Sequence, residues 1–280
     1  MPMKRIQNYF RRIQQQSYST YRYMRHAFEG DHIERRTDFN KLKKPVLLIH
    51  GYAASRRVFN ILETRLRRDG FSVFSIRLGG IFDTFNTRPI PELAEYVAKK
   101  IESLYERYPI KEKISIIGHS KGGLIGRCYI KDFGGDRRVK TLITLGTPHR
   151  GNFWATLGLF TPLAFLTESI RQMSAISPFL RRMNKTPWPR QVKIVSIYSK
   201  ADNVCPFPGS VLEVPENQHN SIKNIEVDDV GHIEFLHKKR IYEIIRQELQ
   251  QGKFSERRLP TPRKIQKLHL SSRSKAQVRQ

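Results

Sequence analysis

Residues Ser115 to Arg127 read SIIGHSKGGLIGR, and this stretch decides how the rest of the chain is understood. An apolar run ends at Gly118, Ser120 stands between Gly118 and Gly122, and a helix-compatible segment follows at once. A strand-to-helix turn tight enough to lift a side chain above a sheet leaves no room for Cβ atoms on either flank. Glycine is therefore needed on both sides of such a serine, which gives the pattern G-x-S-x-G. The string is short enough to arise by chance, so its surroundings decide whether Ser120 is a nucleophile or an ordinary turn serine.

Working outward, strands and helices alternate. PVLLIH (Pro45 to His50) is a continuous apolar run closed by Gly51, as expected of a strand buried on both faces. SRRVFNILETRLRRDG carries Val58, Ile61, Leu62 and Leu66 at helical spacing, with Gly70 as a stop. FSVFSIRL reads as a strand, and the segment from Pro91 to Tyr108 as a helix with proline at its first position. KISIIGHS is a strand, KGGLIGRCYIKDFGG a helix, and VKTLITLGTP a strand again. VKIVSIYSKAD and NSIKNIEVDDVGH add two strands, and EFLHKKRIYEIIRQELQ is a closing amphipathic helix. This order predicts βαβ units with right-handed crossovers: an α/β domain built on a mostly parallel sheet flanked by helices. Between about residues 149 and 190 the alternation stops, and Trp154, Phe160, Phe165, Phe179 and Trp188 with several prolines predict a cap or lid inserted over the sheet.

The totals set bounds. A chain of 280 residues can bury one sizeable core without a second domain. The formal charge is +26, but its distribution is uneven: residues 1–44 hold 11 Lys/Arg against 4 Asp/Glu, and residues 252–280 hold 9 against 1. More than half of the excess thus lies on a basic N-terminal arm (1–44) and a basic tail (252–280) whose composition predicts disorder, flanking a domain at 45–251. Cys128 and Cys205 alone supply neither a disulfide framework nor a zinc site, in keeping with a reducing compartment. The first 25 residues lack the apolar run of a secretory signal. The most apolar segment, Phe153 to Leu166, is too short for a span and contains Pro162, so no transmembrane helix is expected. A cytoplasmic protein, peripheral at most to a membrane, is the expectation.

A serine hydroxyl is a poor nucleophile at neutral pH unless a base takes its proton, and the base needs a carboxylate to hold its tautomer. In α/β-hydrolases the acid and then the histidine follow the serine, each after a later strand. Here Asp202 follows VKIVSIYS and His232 follows IKNIEVDDV, which would bring both to the carboxyl edge of the sheet with Ser120. His50, His119 and His149 compete for the role of base, but His149 precedes the acid, and His50 and His119 are expected to pack in the turns that carry the oxyanion donor and the serine. Asp228 and Asp229 compete with Asp202 and are expected to cap or solvate a strand end. An oxyanion hole needs two backbone N–H groups, expected from Lys121, directly after the serine, and from Tyr52 in HGYAAS. The side chain of Lys121 is expected in solvent, as for most lysines on a first helical turn, or facing a substrate anion.

These motifs, with LGTPHRG, SKADNVCPF and VGHIEFL, make residues 45–250 resemble the lipases and esterases of the α/β-hydrolase superfamily. The run LITLGTPHRG is similar to that of bacterial triacylglycerol lipases and of related deacylases of lipid-linked esters. The resemblance implies Ser120 as nucleophile, His232 as base, Asp202 as orienting acid, Tyr52 and Lys121 as oxyanion donors, and hydrolysis of lipid or acyl esters with no cofactor or metal. An acyltransferase or thioesterase on the same scaffold, or a noncatalytic basic adaptor, are the alternatives. The basic ends suit an anionic membrane surface better than nucleic acid; oligomeric state is open.

Overall fold

The computed structural model describes residues 39, 42–52, 54–78, 86–158 and 168–251. The expected basic tail at 252–280, nearly all of the expected arm at 1–44, and positions 159–167 of the insertion lie outside the described residues. Among the described residues no helix is long and apolar enough to cross a membrane.

Six strands form one parallel sheet in the order β2-β1-β3-β4-β5-β6: β1 (Pro45–Ile49), β2 (Ser72–Ser75), β3 (Ile114–His119), β4 (Val139–Leu145), β5 (Lys193–Tyr198) and β6 (Ile222–Glu226). Among the described residues the helices are α1 (Asn60–Arg68), α2 (Ile90–Arg107), α3 (Lys121–Asp132), α4 (Phe153–Gly158), α5 (Glu168–Met173), α6 (Pro178–Lys185) and α7 (Lys239–Gln250). The inner strands β1, β3, β4 and β5 read as largely apolar runs because both of their faces are covered. Leu47, Ile49, Ile116 and Leu142 pack with Leu93, Val97, Leu124 and Ile125 of α2 and α3. Their neighbours Val46, Leu48, Ile117 and Ile143 point the other way, onto Leu62, Leu66, Ile241 and Ile245 of α1 and α7. Burying each such side chain contributes about 1.5–3 kcal/mol, so the two layers together hold the sheet.

The helix boundaries follow local chemistry. In α2 the residues Ile90, Leu93, Ala94, Val97 and Ile101 are buried at helical spacing, with proline in the first turn. α1 closes at Gly70, whose φ of 81° lets the chain reverse and Phe71 N–H reach Leu66 O at 3.0 Å. The expected closing helix is split. Glu234 accepts from Gly231 N–H at 2.7 Å and turns His232–Leu236 into a short 3-10 turn, and α7 starts only at Lys239. The apolar periodicity of EFLHKKRIYEII runs through this break unmarked.

Between β4 and β5 the described part of the insertion consists of α4, α5 and α6. It is fastened to α3 by cations. Arg127 Nη2 donates to Met183 O at 3.3 Å and to Asn184 Oδ1 at 3.0 Å, and Lys131 Nζ donates to Met183 O at 2.6 Å and to Thr186 O. Met183 O and Thr186 O are backbone carbonyls of the last turn of α6 and its exit, which have no partner within the helix, and Asn184 adds its side-chain oxygen.

Candidate active site

The turn between β3 and α3 has the backbone its sequence demands. Ser120 has φ 54° and ψ −126°, a region that L-residues rarely occupy and that costs roughly 1–3 kcal/mol. A Cβ on Gly118 would lie 2.5 Å from Gly123 N, and one on Gly122 would lie 2.0 Å from Ile49 O. Both flanks are closed to any other residue. The turn is locked by Ser120 N–H donating to Leu145 O at 2.9 Å and by Thr147 Oγ1 donating to Ser120 O at 2.9 Å.

Asp202 follows β5, and His232 follows β6. His232 Nδ1 donates to Asp202 Oδ2 at 2.8 Å, which leaves Nε2 of that tautomer as an acceptor. The other carboxylate oxygen, Oδ1, accepts the N–H groups of Val204 at 2.9 Å and Cys205 at 2.8 Å. The side chain of Asp202 is 1 % exposed and that of His232 9 %. The two loops are also stitched directly, Val230 N–H donating to Ser199 Oγ at 3.3 Å. Ser120 and His232 are not hydrogen-bonded to each other in this structure. Contacts between nucleophile and base are commonly long until substrate is seated. They meet through His119, whose Nε2 donates to His232 O at 3.0 Å and whose ring centroid lies 4.5 Å from that of His232.

Lys121 opens α3, so its N–H is one of the first-turn donors that a helix leaves unpaired. The loop after β1 is pressed against the serine, since a Cβ on Gly51 would stand 2.9 Å from Ser120 Cβ, and Tyr52 follows it. The expectation that the Lys121 side chain is solvated or faces a substrate anion is overturned, because it is fully buried. Its Nζ donates to Arg88 O at 2.6 Å, Ser169 Oγ at 2.6 Å and Asn86 O at 3.2 Å, and burial pushes its pKa down to about 7.

The rival groups have other partners. His149 is buried with Nδ1 3.2 Å from Arg127 Nη1 and Nε2 2.9 Å from Thr144 Oγ1. His50 donates from Nδ1 to Gly51 O at 3.3 Å, and burial, opposed by that bond and helped by Lys121, pushes its pKa down to about 4. Desolvation likewise holds His119 and His149 well below the usual histidine range. Asp228 and Asp229 are exposed, their carbonyls accepting from Arg240 and Lys238.

Two neighbours were not foreseen. Cys205 is buried beside the site, and burial and Asp202 push its thiol pKa well above the usual range against the hydrogen bonds of Ser120 and Asn152. Asn152, in the insertion, donates to Val204 O at 2.6 Å and lies 3.6 Å from Cys205 Sγ. No periodicity marks either residue; only the fold brings 152 to 204. Five large apolar side chains of the insertion and the Asp202 loop are exposed: Phe153, Leu157, Ile176, Val204 and Phe207. Among the described residues no group of three or more His, Cys, Asp or Glu could hold a metal ion.

Comparison with known proteins agrees with this architecture. The chain is 31% identical over 119 residues to a triacylglycerol lipase of Pseudarthrobacter phenanthrenivorans, a match covering 40% of this chain and 35% of that one. It is equally identical over 119 residues to a triacylglycerol lipase of Burkholderia plantarii, covering 40% and 31%. It therefore spans about a third of the length of these curated relatives. Among solved structures, the mature Bacillus licheniformis lipase BlEst2 superposes with a TM-score of 0.59 at 18% identity, over 79% of this chain and 96% of that chain. Aspergillus fumigatus lipase B superposes with 0.62 at 18% identity, over 79% and 56%. The expected α/β-hydrolase fold is thus present. A family model described as palmitoyl protein thioesterase matches residues 45–194, more than half of the 280, and the chain belongs to that family.

Proposed function

We propose that this protein is a serine hydrolase that cleaves acyl esters through an acyl-Ser120 intermediate. The observation that carries the reading is the carboxylate of Asp202, held on one oxygen by two backbone N–H groups and bonded through the other to His232 Nδ1–H. A carboxylate fixed in this way holds the imidazole in the tautomer whose Nε2 can take a proton. In the proposed reaction Ser120 Oγ attacks the acyl carbonyl as His232 Nε2 removes its proton. The charge that develops on the carbonyl oxygen is met by the N–H groups of Tyr52 and Lys121. The bond to the leaving group breaks, and His232 returns the proton to that group. Water, deprotonated by the same Nε2, then attacks the acyl-enzyme and releases the acid. The exposed apolar residues Phe153, Leu157, Ile176, Val204 and Phe207 on the insertion and the acid loop support an apolar acyl chain.

The test is labelling of the purified protein with a fluorophosphonate beside Ser120→Ala. Turnover should fall by roughly 10⁴–10⁶ in the variant and labelling should vanish; a variant that still turns over an ester overturns the assignment. A second reading, thioester cleavage, is favoured by the family match. Equal acyl chains on an oxygen and on a sulfur leaving group, compared by kcat/KM, separate the two.

A further inference from the structure

Lys121 is a buried cation at the start of α3, directly after Ser120, that bonds to two other segments of the chain. Its ammonium has three N–H groups and three neutral acceptors: Asn86 O and Arg88 O in the segment leading into α2, and Ser169 Oγ on α5 of the insertion. It also lies 5.7 Å from the centre of the Tyr52 ring, a cation–π contact. The two residues assigned as oxyanion donors are therefore joined by their side chains as well. Ser169 continues the stitch, its single O–H within reach of Arg88 O at 2.5 Å and Thr87 O at 2.9 Å, while Gln172 on the same helix accepts from Ile90 N–H at 2.6 Å. Asn86 Nδ2 donates to His50 O at 2.7 Å, closing the ring back to the loop that carries Tyr52.

A buried ammonium without a carboxylate is costly, and an apolar side chain of that length could fill the space. Lys121 forms no ion pair among the described residues. Among the described residues, the charged and titratable groups around it are His50 and Tyr52 from the loop after β1, and Arg88 and Glu92 at the entry to α2. Arg88 and Glu92 pair with each other at 2.5 Å, and α5 presents the neutral Ser169. What the ammonium supplies in this setting is geometry: one centre holding three chain segments at fixed distance from Ser120.

We propose that the Lys121 side chain is a positioning residue that latches the Tyr52 loop and helix α5 of the insertion onto the nucleophile turn. This rests on the reading of Tyr52 and Lys121 as oxyanion donors. The latch needs all three N–H groups, and a neutral amine has only two. Because burial brings the lysine down to about 7, the latch weakens as pH rises through that range.

The test compares wild type, Lys121→Met and Lys121→Arg by ester kinetics and by hydrogen exchange of residues 86–90 and 168–173, corrected for intrinsic rates. Lys121→Met should lower kcat roughly tenfold to a hundredfold with little change in KM, since the donors are displaced and not deleted. Exchange in both segments should accelerate in that variant. In wild type the same segments should lose protection from pH 6 to pH 9, and the methionine variant should lack this dependence. Lys121→Arg, charged throughout, should keep protection at pH 9. Kinetics and exchange equal to wild type in Lys121→Met would overturn the latch. If that variant fails to fold, Ser169→Ala removes one acceptor from the far end and must raise exchange in 168–173, or the latch is wrong. Failure of wild type to label at Ser120 would instead sink the proposed chemistry, while exchange would still judge the latch.

Discussion

The sheet has two edges, and each buries a lysine. At the amino edge, Lys193 on the first residue of β5 lies 2.7 Å from Glu248 of α7, and both side chains are 4 % exposed. Lys223 approaches the same carboxylate at 2.6 Å. Burial pushes the Glu248 carboxyl up, but the bonds from Lys193 and Lys223 outweigh it and hold it below the usual range. At the carboxyl edge Lys121 is just as deep and, among the described residues, has only neutral acceptors. One edge neutralises its buried charge with a carboxylate, and the other meets it, among the described residues, with neutral acceptors. A paired charge makes a rigid joint, and an unpaired one makes a joint that responds to protons. The strained backbone of Ser120 and the three neutral histidines His50, His119 and His149 lie with the unpaired charge.

If this division is real, damage at the two edges must have different signatures. The largest effect should come from Asp202→Asn. The amide can no longer impose the tautomer on His232, and turnover should fall about 10⁴-fold, roughly 5 kcal/mol, with Tm nearly unchanged. Activity within tenfold of wild type would remove Asp202 from the mechanism. Next in size is Glu248→Gln at the other edge, which removes the carboxylate that Lys223 and the buried Lys193 share. Stability should drop by about 3–5 kcal/mol, visible as a Tm lower by on the order of 10 °C, while kcat at 25 °C stays put. A change in kcat without a change in Tm would dissolve the distinction between the edges. The smallest effect is the response to acid. Below pH 6.5 the unfolded chain protonates its histidines while folded His50, with its pKa near 4, does not. The unfolded state then binds more protons, so the free energy of unfolding falls as pH falls. For His50 alone this amounts to about 2 kcal/mol by pH 5. Urea titrations at pH 7, 6 and 5 on wild type and His50→Asn measure it, and identical slopes in the two proteins would count against the assigned burial effect.

What could be read from the sequence was what local chemistry decides. Apolar runs bounded by glycine gave the strands, because burial on both faces leaves no polar alternation to confuse them. The order Ser120, Asp202, His232 could be laid out on paper because each residue comes within a few positions after a strand of a parallel sheet, and such positions share an edge. Lys121 could not be read. A lysine in a first helical turn is polar by every local criterion, and its burial depends on Ser169 and Asn86 arriving from 48 and 35 residues away. The break before α7 was hidden for a related reason: Gly231 and Glu234 close a turn on each other while the apolar spacing continues across it. Contacts such as Asn152 to Val204 join segments that share no sequence pattern at all.

The position of β6 has a consequence for how long the molecule keeps working. The strands under Ser120 are buried along their length, whereas β6, at the end of the sheet, has its middle residues half-buried and Glu226 exposed. Local opening begins where few apolar contacts resist it, and His232 hangs from this strand by a few residues. Its carbonyl bond to His119 is a mooring from the centre of the sheet to its margin. On the proposed mechanism, activity lost on ageing at elevated temperature should therefore precede unfolding of the sheet that carries the serine. Shelf life would then be set at the margin of the sheet, and the sturdiness of its core would be no guide to it.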